Sequence, residues 1–308
     1  MRKTALTFAT ATLMLLGGCA TPYMAARAAE KDRGQNTAEN LYGKKYVALG
    51  ASFSAGPGIP PPKPGAPVRC GQSLSSYPTL VAEKFGMVLV DRSCSGARTD
   101  HVTGPWNEIS PQIDAVTPDT RLITINIGGN DVTYVGNMFT STCLAAAALD
   151  PVGKTRSCAA IRVPTEADYA ALEARMTGIA QSLRARAPNA KIVFVQYLTL
   201  IPETLCAATP IRAEDAPLIR EQGRRLAEIT GRVAQTNGAV VVEMNQASLG
   251  HTPCDAESWA IGFPPGYDGK QGLQWHPSLA GMKATADGIA YWLSETQGQV
   301  MVGDGSAE

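Results

Sequence analysis

The strongest constraint on the fold is an alternation along the chain. Short apolar runs rich in β-branched residues give way, each time, to longer stretches that do not read as strand. The runs are Tyr46-Val47-Ala48-Leu49, Val88-Leu89-Val90, Leu122-Ile123-Thr124-Ile125-Asn126-Ile127, Ile192-Val193-Phe194-Val195-Gln196-Tyr197 and Val240-Val241-Val242-Glu243-Met244. Short, nearly continuous apolar runs are the pattern of strands buried on both faces. Helical patterns fall at Tyr77 to Phe85, from Pro164-Thr165-Glu166-Ala167-Asp168 to just before Pro188, from about Ala213 to Thr236, and from Pro277 toward Thr296. Thr165 and Asp168 have the spacing of a capping box, and Asn237-Gly238 is a stop signal. Strands that alternate with helices predict a parallel sheet covered on both faces, with function collected in loops at the carboxyl ends of the strands.

Composition closes off other classes. The chain has 308 residues, 27 Lys+Arg against 27 Asp+Glu, and is 44% hydrophobic and 18% charged. That excludes disorder and coiled coils, and it lacks the basic excess that nucleic-acid binding exploits. No nucleic-acid partner is expected.

The N-terminus is an export signal. Arg2 and Lys3 precede an apolar stretch from Ala5 to Leu16 that is too short to span a bilayer. It ends in Leu16-Gly17-Gly18-Cys19, which resembles the lipobox of bacterial lipoproteins and implies acylation of Cys19 after removal of residues 1–18. The alternative is ordinary cleavage near Ala20 or within Ala25-Ala26-Arg27-Ala28-Ala29, which leaves a soluble secreted protein. Residues 19–42 read as a lipoprotein anchor and tether, 43–298 as one catalytic-size domain, and 299–308 as a flexible tail.

Setting Cys19 aside leaves Cys70, Cys94, Cys143, Cys158, Cys206 and Cys254, an even number suited to an oxidising compartment. Six cysteines allow fifteen pairings, and spacing alone does not choose among them. Neighbour pairing would staple three long loops, Gly56 to Ser76, Thr133 to Val163 and Gln246 to Trp275. A metal site is not expected, because no CxxC occurs and the histidines are only His101, His251 and His276. No cofactor is expected either.

Four segments stand apart as candidates for chemistry. Gly50-Ala51-Ser52-Phe53-Ser54 follows the first run and places Ser52, a possible nucleophile, at a tight turn. Ser93-Cys94-Ser95-Gly96-Ala97 follows the second run, and Gly128-Gly129-Asn130-Asp131 the third. Trp275-His276-Pro277-Ser278 precedes the last helical stretch. The G-x-S-x-G elbow of α/β-hydrolases does not fit, because Ser54 stands where its second Gly would be.

Taken together, in the order Ser, Gly, Asn, His, the four segments resemble the SGNH/GDSL hydrolase family over about Lys45 to Leu293. Tyr46-Val47-Ala48-Leu49-Gly50, Ser76-Tyr77-Pro78 and Cys94-Ser95-Gly96-Ala97 look like its secreted bacterial esterases, lipases and phospholipases. The resemblance implies a flavodoxin-like three-layer α/β/α sandwich on a five-stranded parallel sheet. It implies three neighbour-paired disulfides, Cys70 with Cys94, Cys143 with Cys158 and Cys206 with Cys254. It also implies an ester or lipid substrate, with Ser52 as nucleophile, His276 as general base, and an oxyanion hole built from the N–H groups of Ser52 and Gly96 and the Asn130 side chain.

The residue types suit that chemistry. A serine hydroxyl needs a base near neutral pH, which an imidazole of reference pKa about 6.5 supplies, and the oxyanion needs fixed donors. Two positions depart from the family pattern: Ala51 stands for the usual Asp before the serine, and Leu273 stands where Asp precedes the histidine. A Ser-His-Asp triad is therefore not carried over. The expectation is a Ser52–His276 dyad whose histidine is oriented by the Leu273 carbonyl, with Asp268 or Glu257 as alternative carboxylates. His101 and His251 read as surface or loop residues, and Trp106, Trp259 and Trp275 as loop-packing aromatics, with lining of an acyl pocket as the alternative. The protein is expected to be a periplasmic or outer-membrane lipoprotein, touching the membrane only through its anchor. Acyl transfer or deacetylation on envelope glycans, or a silent binding lipoprotein of the same fold, are the competing readings.

Overall fold

The computed structural model describes residues 41–149 and 157–294. The expected signal peptide, the acylated Cys19, nearly all of the tether, and the tail lie outside the described residues.

Five strands form one sheet: β1 (Lys45–Gly50), β2 (Val88–Asp91), β3 (Thr120–Asn126), β4 (Lys191–Val195) and β5 (Val240–Val242). Their order is β2-β1-β3-β4-β5, every pairing parallel, with Gly50 level with Asn126 where β1 and β3 end. In a doubly wound sheet of this order the chain leaves β1 for opposite sides, so a crevice opens between the carboxyl ends of β1 and β3. The inner strands explain the continuous apolar runs, since Tyr46, Val47, Ala48 and Leu49 are all buried, while edge strands β2 and β5 are only partly so.

The helices are α1 (Ser52–Ala55), α2 (Tyr77–Phe85), α3 (Thr99–Thr103), α4 (Tyr134–Leu149), α5 (Glu166–Arg186), α6 (Ala216–Thr236), α7 (Met244–Ala247) and α8 (Leu279–Ser294). α2 packs on α8 to form one covering layer, and α5 packs with α3 and α6 to form the other. α5 opens with the expected capping box: Asp168 N–H donates to Thr165 Oγ1 (3.2 Å) and the Asp168 carboxylate accepts from Thr165 N–H (2.8 Å). Glu166 and Glu173 of α5 pair with Arg225 and Arg232 of α6 at 2.6 and 2.8 Å, a matched heptad spacing that two helices show only when they run parallel. Parallel covering helices are what successive strand-helix units in a parallel sheet require.

One expectation fails. The stretch read as a loop from Thr133 to Val163 begins with the sixteen-residue helix α4, whose residues Tyr134, Val135, Asn137, Met138, Ser141 and Thr142 are buried. Gly136 and Asn137, poor helix formers, and the clustered Thr, Ser and Ala weaken the amphipathic pattern by which such a helix is read. Tertiary packing supplies what propensity lacks: Asn137 Nδ2 donates to the Arg162 carbonyl (2.6 Å) and to Gln222 Oε1 (3.1 Å), and Arg162 N–H donates back to Asn137 Oδ1 (2.9 Å). A second small sheet pairs β6 (Ala260–Ile261), within the last long loop, antiparallel with β7 (His276–Pro277), which follows that loop directly.

Candidate active site

Ser52 is placed by the turn that leaves β1. Gly50 there has φ +126°, and a Cβ on it would stand 2.4 Å from Asn126 O and 2.7 Å from Ser54 Oγ, so only glycine fits. Gly50 N–H donates to Gln112 Oε1 (2.7 Å), and its carbonyl accepts from Gln112 Nε2 and from Cys94 N–H, both at 3.0 Å. Ala51 N–H donates to Asn126 O (2.9 Å), and Ser54 Oγ donates to Leu49 O (3.0 Å) while bonding the Tyr77 hydroxyl (2.9 Å). The chain is thus fixed on both sides of Ser52.

His276 comes from the far end of the sequence. The preceding Trp275 is fully buried, has φ +59°, and donates its N–H to Ile261 O (2.7 Å), so the chain curls before entering β7. His276 Nε2 lies 2.8 Å from Ser52 Oγ, and Nδ1 lies 2.8 Å from the Gln274 carbonyl. A carbonyl only accepts, so Nδ1 carries the proton and Nε2 receives the serine O–H. Ser52 and His276 are 7% and 4% exposed. Burial pushes the imidazole down to about 4, opposed by the hydrogen bond to Gln274, so the base is neutral at ordinary pH.

The orienting carbonyl is therefore that of Gln274, not of Leu273 as expected. The left-handed Trp275 turns the peptide two residues before the ring toward Nδ1, whereas Leu273 is spent on a different tie, its N–H donating to Pro57 O (3.0 Å). Neither alternative carboxylate, Asp268 or Glu257, bonds the histidine: its two ring nitrogens meet the Gln274 carbonyl and Ser52 Oγ, and Asp268 pairs instead with Lys270 at 3.0 Å.

The expected oxyanion donors lie on the segments that follow β1, β2 and β3. Among the described residues, no protein acceptor takes the N–H of Ser52 or of Gly96, which has φ +86°. Asn130 donates one amide proton to Ala97 O (2.9 Å), tying its loop to that of Gly96 and leaving the second amide proton available. Two residues that the sequence reading missed hold this geometry. Gln112 grips Gly50, as described. Asp131, whose side chain is 5% exposed, accepts from Thr99 N–H (3.1 Å) and Thr99 Oγ1 (2.6 Å) and pairs with Arg175 (3.3 Å). Its position beside Asn130 reads as a plain turn in sequence, and nothing local marks Gln112. Phe53 packs against both the imidazole (5.3 Å) and Tyr197 (4.7 Å), and the Tyr197 hydroxyl accepts from Gly129 N–H (3.0 Å), linking the base to the Asn130 loop.

The disulfides are Cys70–Cys94, Cys143–Cys158 and Cys206–Cys254, the neighbour pairing that the resemblance implies. The first joins the loop after β1 to the Gly96 loop. Trp275 is buried, Trp259 stacks on His251 (3.9 Å), and Trp106 stacks on His101 (4.3 Å). Among the described residues, no group of three or more His, Cys, Asp or Glu side chains is placed to hold a metal ion.

A neutral imidazole bonded to a buried serine, at the crevice of a doubly wound parallel sheet, is the arrangement of a serine hydrolase. Comparison with known proteins agrees. A model of the GDSL-like lipase/acylhydrolase family matches residues 48–284. Lipase 2 of Streptomyces coelicolor is 32% identical over 79% of this chain and 83% of its own, and a lipase of Streptomyces rimosus is 27% identical over 82% and 86%. In fold, the phospholipase A1 of Streptomyces albidoflavus superposes with a TM-score of 0.62 at 23% identity, covering 81% of this chain and 99% of that one. The chain belongs to the GDSL-like lipase/acylhydrolase family, and it is a carboxylic ester hydrolase.

Proposed function

We propose that this protein is an exported, membrane-anchored esterase of lipid substrates in which Ser52 is the nucleophile and His276 the general base. The observation that carries the reading is the unbroken path from Ser52 Oγ through the imidazole to the Gln274 carbonyl, 2.8 Å at each link. Ser52 Oγ attacks the ester carbonyl as its proton passes to Nε2. The N–H groups of Ser52 and Gly96 and the free Asn130 amide proton receive the oxyanion, each worth about 2.7–4 kcal/mol in a serine hydrolase. The imidazolium returns its proton to the leaving alcohol, and the acyl-enzyme falls to water by the same steps in reverse order. The Gln274 carbonyl keeps the tautomer and stabilises the imidazolium with a dipole rather than a full charge.

Lipid esters are favoured because two relatives, 32% and 27% identical to this chain, are named lipases. Export rests on the Arg2-Lys3 and Ala5–Leu16 leader and anchoring on Cys19, with residues 19–42 as tether, 43–298 as the catalytic domain and 299–308 as a tail. Such a protein sits at the periplasmic face of a membrane or in the outer membrane. The test is labelling of the mature protein with a fluorophosphonate, together with hydrolysis of p-nitrophenyl esters of graded chain length. Labelling at Ser52 that disappears in His276→Ala, and turnover that fails in both Ser52→Ala and His276→Ala, are the expected results. Turnover that survives in Ser52→Ala overturns the assignment.

A further inference from the structure

Three side chains are stacked at the rim of the Gly96 loop. The imidazole of His101 lies flat on the indole of Trp106, centroids 4.3 Å apart and planes within 1°, and the Arg69 guanidinium lies over the Trp106 ring at 3.8 Å. The far edge of the indole abuts Gly96, where a Cβ would come within 3.2 Å of Trp106 Cη2. Arg69 is therefore one ring width from a proposed oxyanion donor.

Its backbone is fixed as firmly as its head. Arg69 lies in the single 3₁₀ turn Val68–Cys70, and the Cys70–Cys94 disulfide bolts that turn to the Gly96 loop. The Cys70 carbonyl adds hydrogen bonds from Ser95 N–H (3.1 Å) and Ser95 Oγ (2.8 Å). Stacking uses only the face of a guanidinium, so its N–H edge stays free to donate. Among the described residues that edge is met by Glu108 alone, at 3.3 Å, through a carboxylate with 67% side-chain exposure, and pairs of this kind exchange readily. The neighbouring Val68 is 96% exposed, an aliphatic side chain standing in solvent beside the cation.

We infer that Arg69 is a specificity-determining residue that receives the phosphodiester of a glycerophospholipid whose ester carbonyl lies at Ser52; the inference rests on the ester-hydrolase reading above. In such a lipid the phosphate is separated from the ester carbonyl only by the short glycerol bridge. With the carbonyl oxygen at Gly96, the phosphate falls on the surface bordering that loop, where Arg69 is held rigid by Trp106. A guanidinium fork matches a phosphate with two parallel hydrogen bonds, displacing Glu108. Val68 then meets the apolar part of the lipid surface. Neutral glycerides and p-nitrophenyl esters carry no anion and gain nothing from Arg69.

The test compares kcat/KM for phosphatidylcholine and for diacylglycerol with the same acyl chains, both in the same detergent mixed micelles. The variants are Arg69→Gln, Arg69→Lys, Glu108→Gln and, as a control cation at the opposite end of the sheet, Arg121→Ala. The phospholipid-to-diacylglycerol ratio should fall at least about tenfold in Arg69→Gln, recover in part in Arg69→Lys, and rise in Glu108→Gln, with Arg121→Ala unmoved. A ratio unchanged in Arg69→Gln overturns the inference, as does a wild type that cleaves diacylglycerol but not phosphatidylcholine. If Arg69→Gln does not fold, the ratio in Glu108→Gln decides: no rise overturns the inference. A wild type that cleaves neither lipid nor p-nitrophenyl esters instead overturns the ester-hydrolase reading itself.

Discussion

The side-chain amide of Gln112 closes a two-point bond on the backbone of Gly50, accepting from its N–H at 2.7 Å and donating to its carbonyl at 3.0 Å. Gly50 is two residues before Ser52, and Gln112 is 2% exposed. A side chain thus does, inside the crevice, what a neighbouring strand would do for a residue within the sheet. Replacing it by Leu strands the Gly50 N–H, while the carbonyl keeps Cys94 as donor. Gln112→Leu should lose about 1–3 kcal/mol in urea unfolding, and kcat should fall more than KM changes, because the nucleophile's turn loosens. Unchanged stability would sink this account of the tie.

Acid tolerance should follow from the buried base. With its pKa held at about 4, His276 stays neutral well below the value of a free imidazole. The profile of kcat/KM on a p-nitrophenyl ester should stay flat down to about pH 5 and fall with an inflection near 4. An inflection near about 6.5, the reference value, would show that the base is solvated.

Stability should show the same group from the other side. Below about pH 6.5 the unfolded chain binds a proton on His276 that the native state refuses until about 4, so stability present above that window drains away as pH falls through it. The full difference is up to about 3 kcal/mol. His276→Gln, which does not titrate, should show a smaller drop in melting temperature between pH 7 and pH 4.5 than wild type; equal drops would refute the burial argument.

The Asn130 loop is predicted to matter in two graded ways. Asn130→Ala removes a donor and should lower kcat about 10²- to 10³-fold with little change in KM. Asp131→Ala removes the tie to Thr99 and Arg175, touches no substrate atom, and should lower kcat less while also lowering the melting temperature. Reversal of that ranking, read from steady-state kinetics, would move the catalytic role to Asp131.

Much of this architecture is legible in the sequence because it depends on short-range patterns. The apolar runs around Tyr46 and Ile123 are short and rich in β-branched residues and so read as buried strands, and Thr165 with Asp168 marks a helix start by itself. Ser52, Gly96, Asn130 and His276 are singled out by the resemblance of their four segments, in one order, to the SGNH/GDSL family, and the structure brings Ser52 and His276 to 2.8 Å of each other. The failures are those in which distant parts of the chain decide. α4 is held by Asn137 contacts to Arg162 and Gln222, which no local window contains. Gln112 acts across 62 positions. Leu273 was one residue off because the choice of carbonyl depends on the backbone angle of Trp275, which side-chain identity does not report.

The bond between His276 Nδ1 and the Gln274 carbonyl has a consequence for inheritance. A triad's aspartate can be erased by one base change. A peptide oxygen belongs to every residue type alike, so no substitution at position 274 deletes it, and Gln274→Ala should leave turnover nearly intact where the curl at Trp275 is preserved. The vulnerable element lies elsewhere: it is the shape of the segment from Gly272 to Trp275, with φ of +135° and +59° at its two ends. In the proposed mechanism the third member of the catalytic apparatus is a conformation, and it is lost by bending the chain rather than by changing a letter.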